Sequence, residues 1–220
     1  MSRFLAVCVA LLLCIPAVAQ EGQKKFELPK PDADGKIGIF NGKDLTGWYG
    51  DESLFKVDNG EIVGKTETGI KENQFLKSRF EVGDFRLVLQ IKLVPNIANS
   101  GVQIRSLTLK NSPEMLGYQA DIGEGWWGKL YHESGRALLW DKGLPEDKLH
   151  KDDWNTYEVV AVGHKIMTAV NGVKCVDLDD EKGELEGLIA VQVHAGGPTE
   201  VRFKDFELEI DPKPELKTVK

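Results

Sequence analysis

A chain of 220 residues, 41% hydrophobic and 29% charged, can fill one sizeable core and falls short of two. Its formal charge of −7 argues against nucleic acid or an anionic membrane as partner. Three cysteines, two of them in the first fourteen residues, give no disulfide framework.

The N-terminus reads as a signal peptide over residues 1–19: Arg3, the apolar run Phe4 to Ile15, then the small-x-small site Ala17-Val18-Ala19. Its removal takes Arg3, Cys8 and Cys14, leaving Cys175 alone and a charge of −8 (−7 less the one of Arg3). Bulky Leu13 before Cys14 speaks against a lipid anchor, so the mature protein is expected soluble in the periplasm or outside the cell, with no membrane insertion. Residues 20–35 read as a polar linker. Pro31-Asp32-Ala33-Asp34-Gly35 fails as a calcium loop, because Lys30 and Asn41 stand where carboxylates belong, and is a solvated turn instead.

Strand signals fill residues 36–211. Phe55-Lys56-Val57 and Glu61-Ile62-Val63 flank Asp58-Asn59-Gly60, a hairpin turn. From Phe85 to Leu93 apolar residues alternate with Arg86, Gln90 and Lys92, the period of a half-buried antiparallel strand. Further strands are expected at Val159 to Val162, at Ile166 to Val170 and Val173 to Val176 around Asn171-Gly172, at Leu188 to Val193 and at Val201 to Ile210. No long stretch has helical periodicity. Many short strands with Gly and Asn turns imply an all-β sandwich or jelly roll. Residues 212–220, with Pro212 and Pro214, read as a frayed polar tail.

Several strands carry a polar face too specific for mere solubility. Asn99, Gly101, Gln103 and Arg105 share parity, as do Gln119 and Asp121, Tyr131 and Glu133, and Gln192 and His194. In one sheet these would gather amides, carboxylates, an Arg, a His and a Tyr, the groups that grip paired hydroxyls. Trp126 and Trp127, in a Gly-flanked loop, are candidate walls for stacking on sugar rings. Trp48 and Trp154 read as core or strand-edge anchors, and His132 and His150 as surface residues. Asp177, Asp179 and Glu181 alternate, but with Asp180, Lys182 and Gly183 beside them they read as a solvated loop.

Six stretches in order carry a family resemblance: Ile39 to Trp48 (IFNGKDLTGW), Asn99 to Arg105 (NSGVQIR), Gly117 to Asp121 (GYQAD), Gly128 to Glu133 (GKLYHE) with Arg136, Trp154-Asn155 with Asn171-Gly172, and Gly187 to His194 (GLIAVQVH). The chain resembles the 3-keto-disaccharide hydrolase domain family over nearly all of residues 37–210. The resemblance implies a concanavalin-A-like jelly roll of two antiparallel sheets, and secreted sugar degradation on an oligosaccharide or glycoside in its 3-keto form.

A carbonyl at C3 acidifies the hydrogen at C2. A base removes it, an enolate forms, and the glycosidic oxygen leaves C1; water then adds back. This chemistry needs a base, a stabiliser for the enolate oxygen and an acid for the leaving group. The candidates are His194 as base, Arg105 as enolate stabiliser and Glu133 or Asp121 as acid. Asn99, Gln103, Gln119, Trp126, Trp127, Tyr131, Arg136 and Gln192 would bind substrate. A divalent metal could take the place of Arg105, although the scattered His and single mature Cys give no clear ligand motif. Two alternatives stay open: a non-catalytic carbohydrate-binding module, and a retaining glycosidase, which lacks a well-placed strand of paired carboxylates.

Overall fold

The computed structural model describes residues 26–220; the signal peptide expected at 1–19 and the first part of the expected linker lie outside them. In chain order the strands are β1 (Ile37–Gly38), β2 (Trp48–Tyr49), β3 (Phe55–Asp58), β4 (Glu61–Thr66), β5 (Gln74–Val82), β6 (Phe85–Val94), β7 (Asn99–Thr108), β8 (Met115–Gly123), β9 (Leu130–Glu133), β10 (Ala137–Trp140), β11 (Asn155–Val162), β12 (Lys165–Val170), β13 (Val173–Asp179), β14 (Gly187–Val193) and β15 (Thr199–Ile210). The sole helical piece among the described residues is a 3-10 turn at Glu146–Lys148.

The strands form two antiparallel sheets, the jelly-roll sandwich expected. One runs β13-β12-β11-β6-β15-β4-β3, with β1 also paired to β15; the other runs β10-β9-β8-β7-β14-β5-β2. Two-residue turns fix the hairpins. Asp58 pairs with Glu61 and Val170 with Val173, so Asn59-Gly60 and Asn171-Gly172 make the bends. All four residues have φ between 50° and 81°, which Asn and Gly tolerate and which matches the strand twist.

Alternation places the core between the sheets. Phe85, Leu87, Leu89, Ile91 and Leu93 face Val102, Ile104, Tyr118, Ala120, Ile122, Ile189, Val191 and Val193, all fully buried. Each large apolar side chain buried there contributes about 1.5–3 kcal/mol. Trp48 is a core anchor, its Nε1 donating to Ile39 O at 2.9 Å. Trp154 sits at a strand edge with the Lys92 and Lys204 ammoniums over its ring. Cys175 is buried beneath Gly128, and burial pushes its thiol up to about 11.

Four expectations need correction. The segment from Phe26 is docked, with Phe26 and Leu28 packed on the core and the Phe26 ring 6.1 Å from that of Phe80. The C-terminal tail is tied down. Lys217 N, Thr218 N and Thr218 Oγ1 donate to the carboxylate of Glu158, which is fully buried and also paired with Arg86. His132 points into the interior, its Nε2 3.1 Å from Glu184, so it is no surface residue. Asp177 and Asp179 belong to β13, and Asp177 is paired with Lys165 and Lys174.

Candidate functional site

Inward-facing apolar residues leave the alternate positions of β7, β8, β9 and β14 on the other face of the second sheet. There Asn99, Gln119, Asp121, Trp126, Tyr131, Glu133 and His194 line a pocket of about 210 Å3. A second compartment of about 410 Å3 adjoins it through Asn99, Trp126 and His194 and continues to Ile97, Ala98, Pro198 and Thr199. Seven of the twelve residues expected from strand parity and loop chemistry thus come together.

The floor is a chain of amides. Ser106 Oγ donates to Gln103 Oε1 at 2.6 Å, Gln103 Nε2 to Gln119 Oε1 at 2.9 Å, and Gln119 Nε2 to Asp121 Oδ1 at 2.7 Å. Gly101 makes room for it, since a Cβ there would lie 2.5 Å from Gln119 Cγ. Gln103 and Gln192 are fully buried beneath the pocket and do not line it. Gln103 shapes it through Gln119, whereas both amide atoms of Gln192 lack a partner among the described residues.

Burial raises the Asp121 carboxyl to about 8; the nearby Glu133 charge adds to this, and the Gln119 bond and Lys129 oppose it. Burial also raises Glu133 to about 7, with the Glu114 charge adding and an Asn73 hydrogen bond opposing. Near neutral pH the pocket therefore holds proton-bearing carboxyls. His194 places Nδ1 against Ala195 O, which can only accept, so Nδ1 carries the hydrogen and Nε2 is left for the cleft. Trp126 stands edge-on to Tyr131 with ring centroids 6.3 Å apart. The ammonium of Lys129 lies over Trp126, 5.2 Å from its ring centroid.

Two residues outside the expected set brace these groups. Asn73, just before β5, accepts from Ala195 N at 2.8 Å and donates Nδ2 to Glu114 at 3.3 Å and to Glu133 at 3.4 Å. It thereby links the backbone beside His194 to both carboxylates. Asn73 and Glu114 belong to none of the polar-faced strands, so strand periodicity does not mark them.

Three expected residues are elsewhere. Arg105 is buried and points away from the cleft, donating to Gly83 O at 2.9 Å, Gly163 O at 2.6 Å and Asp84 Oδ1 at 2.9 Å. The cause is a β-bulge between Ile104 and Leu107 in which Arg105 takes φ +47°, adding one residue and breaking the alternation. The sequence does carry its mark: apolar positions pass from even (Val102, Ile104) to odd (Leu107, Leu109). Trp127 is buried, its Nε1 donating to Asn96 Oδ1 at 2.6 Å, and only Trp126 walls the cleft. Arg136 is paired with Asp180 at 2.7 Å and lies over the Tyr118 ring. No Lys or Arg lines the inner pocket, and among the described residues no three His, Cys, Asp or Glu side chains are grouped to hold a metal ion.

The fold has relatives among solved structures. A candidate glycosyl hydrolase of Parabacteroides distasonis superposes with TM-score 0.62 at 20% identity, covering 82% of this chain and 95% of that one. The carbohydrate-binding module CBM66 of Bacillus subtilis gives 0.56 at 14%, covering 74% and 95%. A Bacillus subtilis protein of unknown function with a galectin-like fold gives 0.53 at 9%, covering 80% and 94%. At such identities the likeness is one of fold. No curated protein matches the sequence. The model of the 3-keto-alpha-glucoside-1,2-lyase-like domain matches residues 35–209, so the chain is a carbohydrate-active domain, hydrolase-like or sugar-binding, and belongs to that family.

Proposed function

We propose that the protein cleaves the glycosidic bond of 3-keto-glycosides, outside the cytoplasm, by proton abstraction at C2 and elimination at C1. The observation that supports this best is the convergence of His194, Glu133 and Asp121 on one pocket walled by Trp126 and Tyr131. A binding module has little use for two carboxyls whose charged forms burial disfavours, set in one pocket with a histidine.

His194 Nε2 takes the C2 proton. The C–H electron pair moves into the C2–C3 bond, and the C3 carbonyl becomes an enolate oxygen. Asp121, neutral near pH 7, donates a hydrogen bond to that oxygen, the role first expected of Arg105. The enolate pair then forms the C1–C2 double bond, the C1–O bond breaks, and Glu133 gives its proton to the departing oxygen. The products are a free alcohol and a 2-hydroxy-enone to which water can add. Asn99 and Gln119 hold hydroxyls of the ring, and Trp126 covers one of its faces.

The test is incubation with a 3-keto-glucoside and with its unoxidised parent, following aglycone release. Release from the keto form alone is expected. Equal release from the parent would identify an ordinary glycosidase, and binding without release a sugar-binding module.

A further inference from the structure

One side chain outside the pocket reaches both ends of the proposed proton path. Asn73 Oδ1 accepts from Ala195 N at 2.8 Å. A backbone N–H can only donate, so this bond fixes which way the amide points and turns its Nδ2 to the carboxylates. Ala195 is then gripped twice, its N–H by Asn73 and its carbonyl by Nδ1 of His194. The imidazole is thus aimed by a residue that Asn73 holds in place.

Nδ2 divides its two hydrogens between Glu114 Oε2 at 3.3 Å and Glu133 Oε1 at 3.4 Å. Asn73 N adds a bond to Glu114 Oε1 at 3.2 Å, so both oxygens of Glu114 are taken. Because Nδ2 only donates, Oε1 of Glu133 accepts. The hydrogen of a neutral Glu133 is then left to Oε2, which has no partner among the described residues. Burial is the largest cause of the raised Glu133 carboxyl and the Glu114 charge the next, with the Asn73 bond opposing. Asp121 on β8, Tyr131 on β9 and His194 after β14 share its pocket. The nearby cations are engaged elsewhere: Arg136 with Asp180, Lys129 with Asp141, and Lys77 on β5 with Pro113 O at 3.3 Å.

We infer that Asn73 and Glu114 are positioning residues of the proposed reaction: Asn73 holds the base and the acid in one arrangement, and Glu114 keeps the proton on Glu133. The inference rests on the proposed elimination at this site. Neither residue lines the pocket, so each acts only through its neighbours.

Two measurements on each protein test this: the 13C NMR titration of the Glu133 carboxyl, assigned by its loss in Glu133→Gln, and the pH profile of kcat on a 3-keto-glucoside. Glu114→Gln keeps the shape and removes the charge, which favours ionised Glu133. The Glu133 titration and the alkaline limb of kcat should both move down by about one pH unit. In Asn73→Ala, Glu133 loses a donor, so its titration should move up. There kcat should fall roughly ten- to a hundredfold on the acid side of the limb, as His194 loses its support. A merely structural role would lower thermal midpoints without moving the titration in opposite directions. A Glu133 titration unmoved in Glu114→Gln would overturn the inference, whether or not Asn73→Ala folds. So would a limb that stays while the titration moves, or a kcat of folded Asn73→Ala close to the parent's. If no protein turns over, the 3-keto reading fails instead. The titrations then decide alone: opposite shifts support the placing of the proton, and unmoved ones overturn it.

Discussion

Asp121 and Glu133 keep their protons well above the ordinary carboxylate range because the fold takes them out of water. Their contribution to stability is therefore fully present below about pH 4 and is lost as pH rises through about 7 and 8. Thermal midpoints should fall between pH 5 and pH 9. In Asp121→Asn, which cannot ionise, the fall should be shallower, with a gain over the parent on the order of 1–3 kcal/mol at pH 9; parallel slopes would refute it. The proposed rate needs the same two protons, so aglycone release should decline over the same range. His194→Ala and Glu133→Gln should lower kcat by roughly a hundred- to ten-thousand-fold while substrate still binds. Trp126→Ala should do the reverse, raising KM with little change in kcat. These residues were legible because β8, β9 and the run from Ile189 to His194 alternate through Asp121, Glu133 and His194. Asn73 was not, since it acts from the margin of the sheet through bonds to Glu114 and Glu133, which lie 41 and 60 residues away in the chain.

The bulge in β7 shows what one inserted residue does to an element. It turns Arg105 from the cleft toward the β5–β6 and β11–β12 turns, where three acceptors take its guanidinium. Arg105→Ala would strand those acceptors and cost about 2–4 kcal/mol of stability. Turnover per folded molecule should be unchanged. Denaturation and kcat measured on the same samples check this, and a large kcat loss in fully folded protein would return Arg105 to the chemistry. Parity counting misplaced Arg105 because it assumes an unbroken ladder. Gly101→Ala tests the neighbouring turn of β7. The added methyl would meet Gln119 and deprive Asp121 of its amide bond, so turnover should fall more than stability.

At the scale of the whole molecule, the two-sheet architecture was readable from hairpin turns and alternating strands, because both are local. The docking of the tail was not. Pro212 and Pro214 make it look unstructured, and its partner Glu158 lies some 60 residues back in the chain. Ending the chain at Asp211 should remove three donors from a buried carboxylate and cost roughly 1–3 kcal/mol. A thermal midpoint unchanged on truncation would contradict that. The tail ties down the first sheet, while the cleft lies on the second, so aglycone release per folded molecule should survive the deletion.

The burial of Cys175 beneath Gly128 has a practical side. It is the only thiol among the described residues, and it is shielded and slow to ionise. A cysteine introduced at Ile97 would therefore take a maleimide dye selectively in the native state. Its fluorescence would then report the arrival and departure of ligands at the mouth of the cleft in real time, with no need to remove the native sulfur.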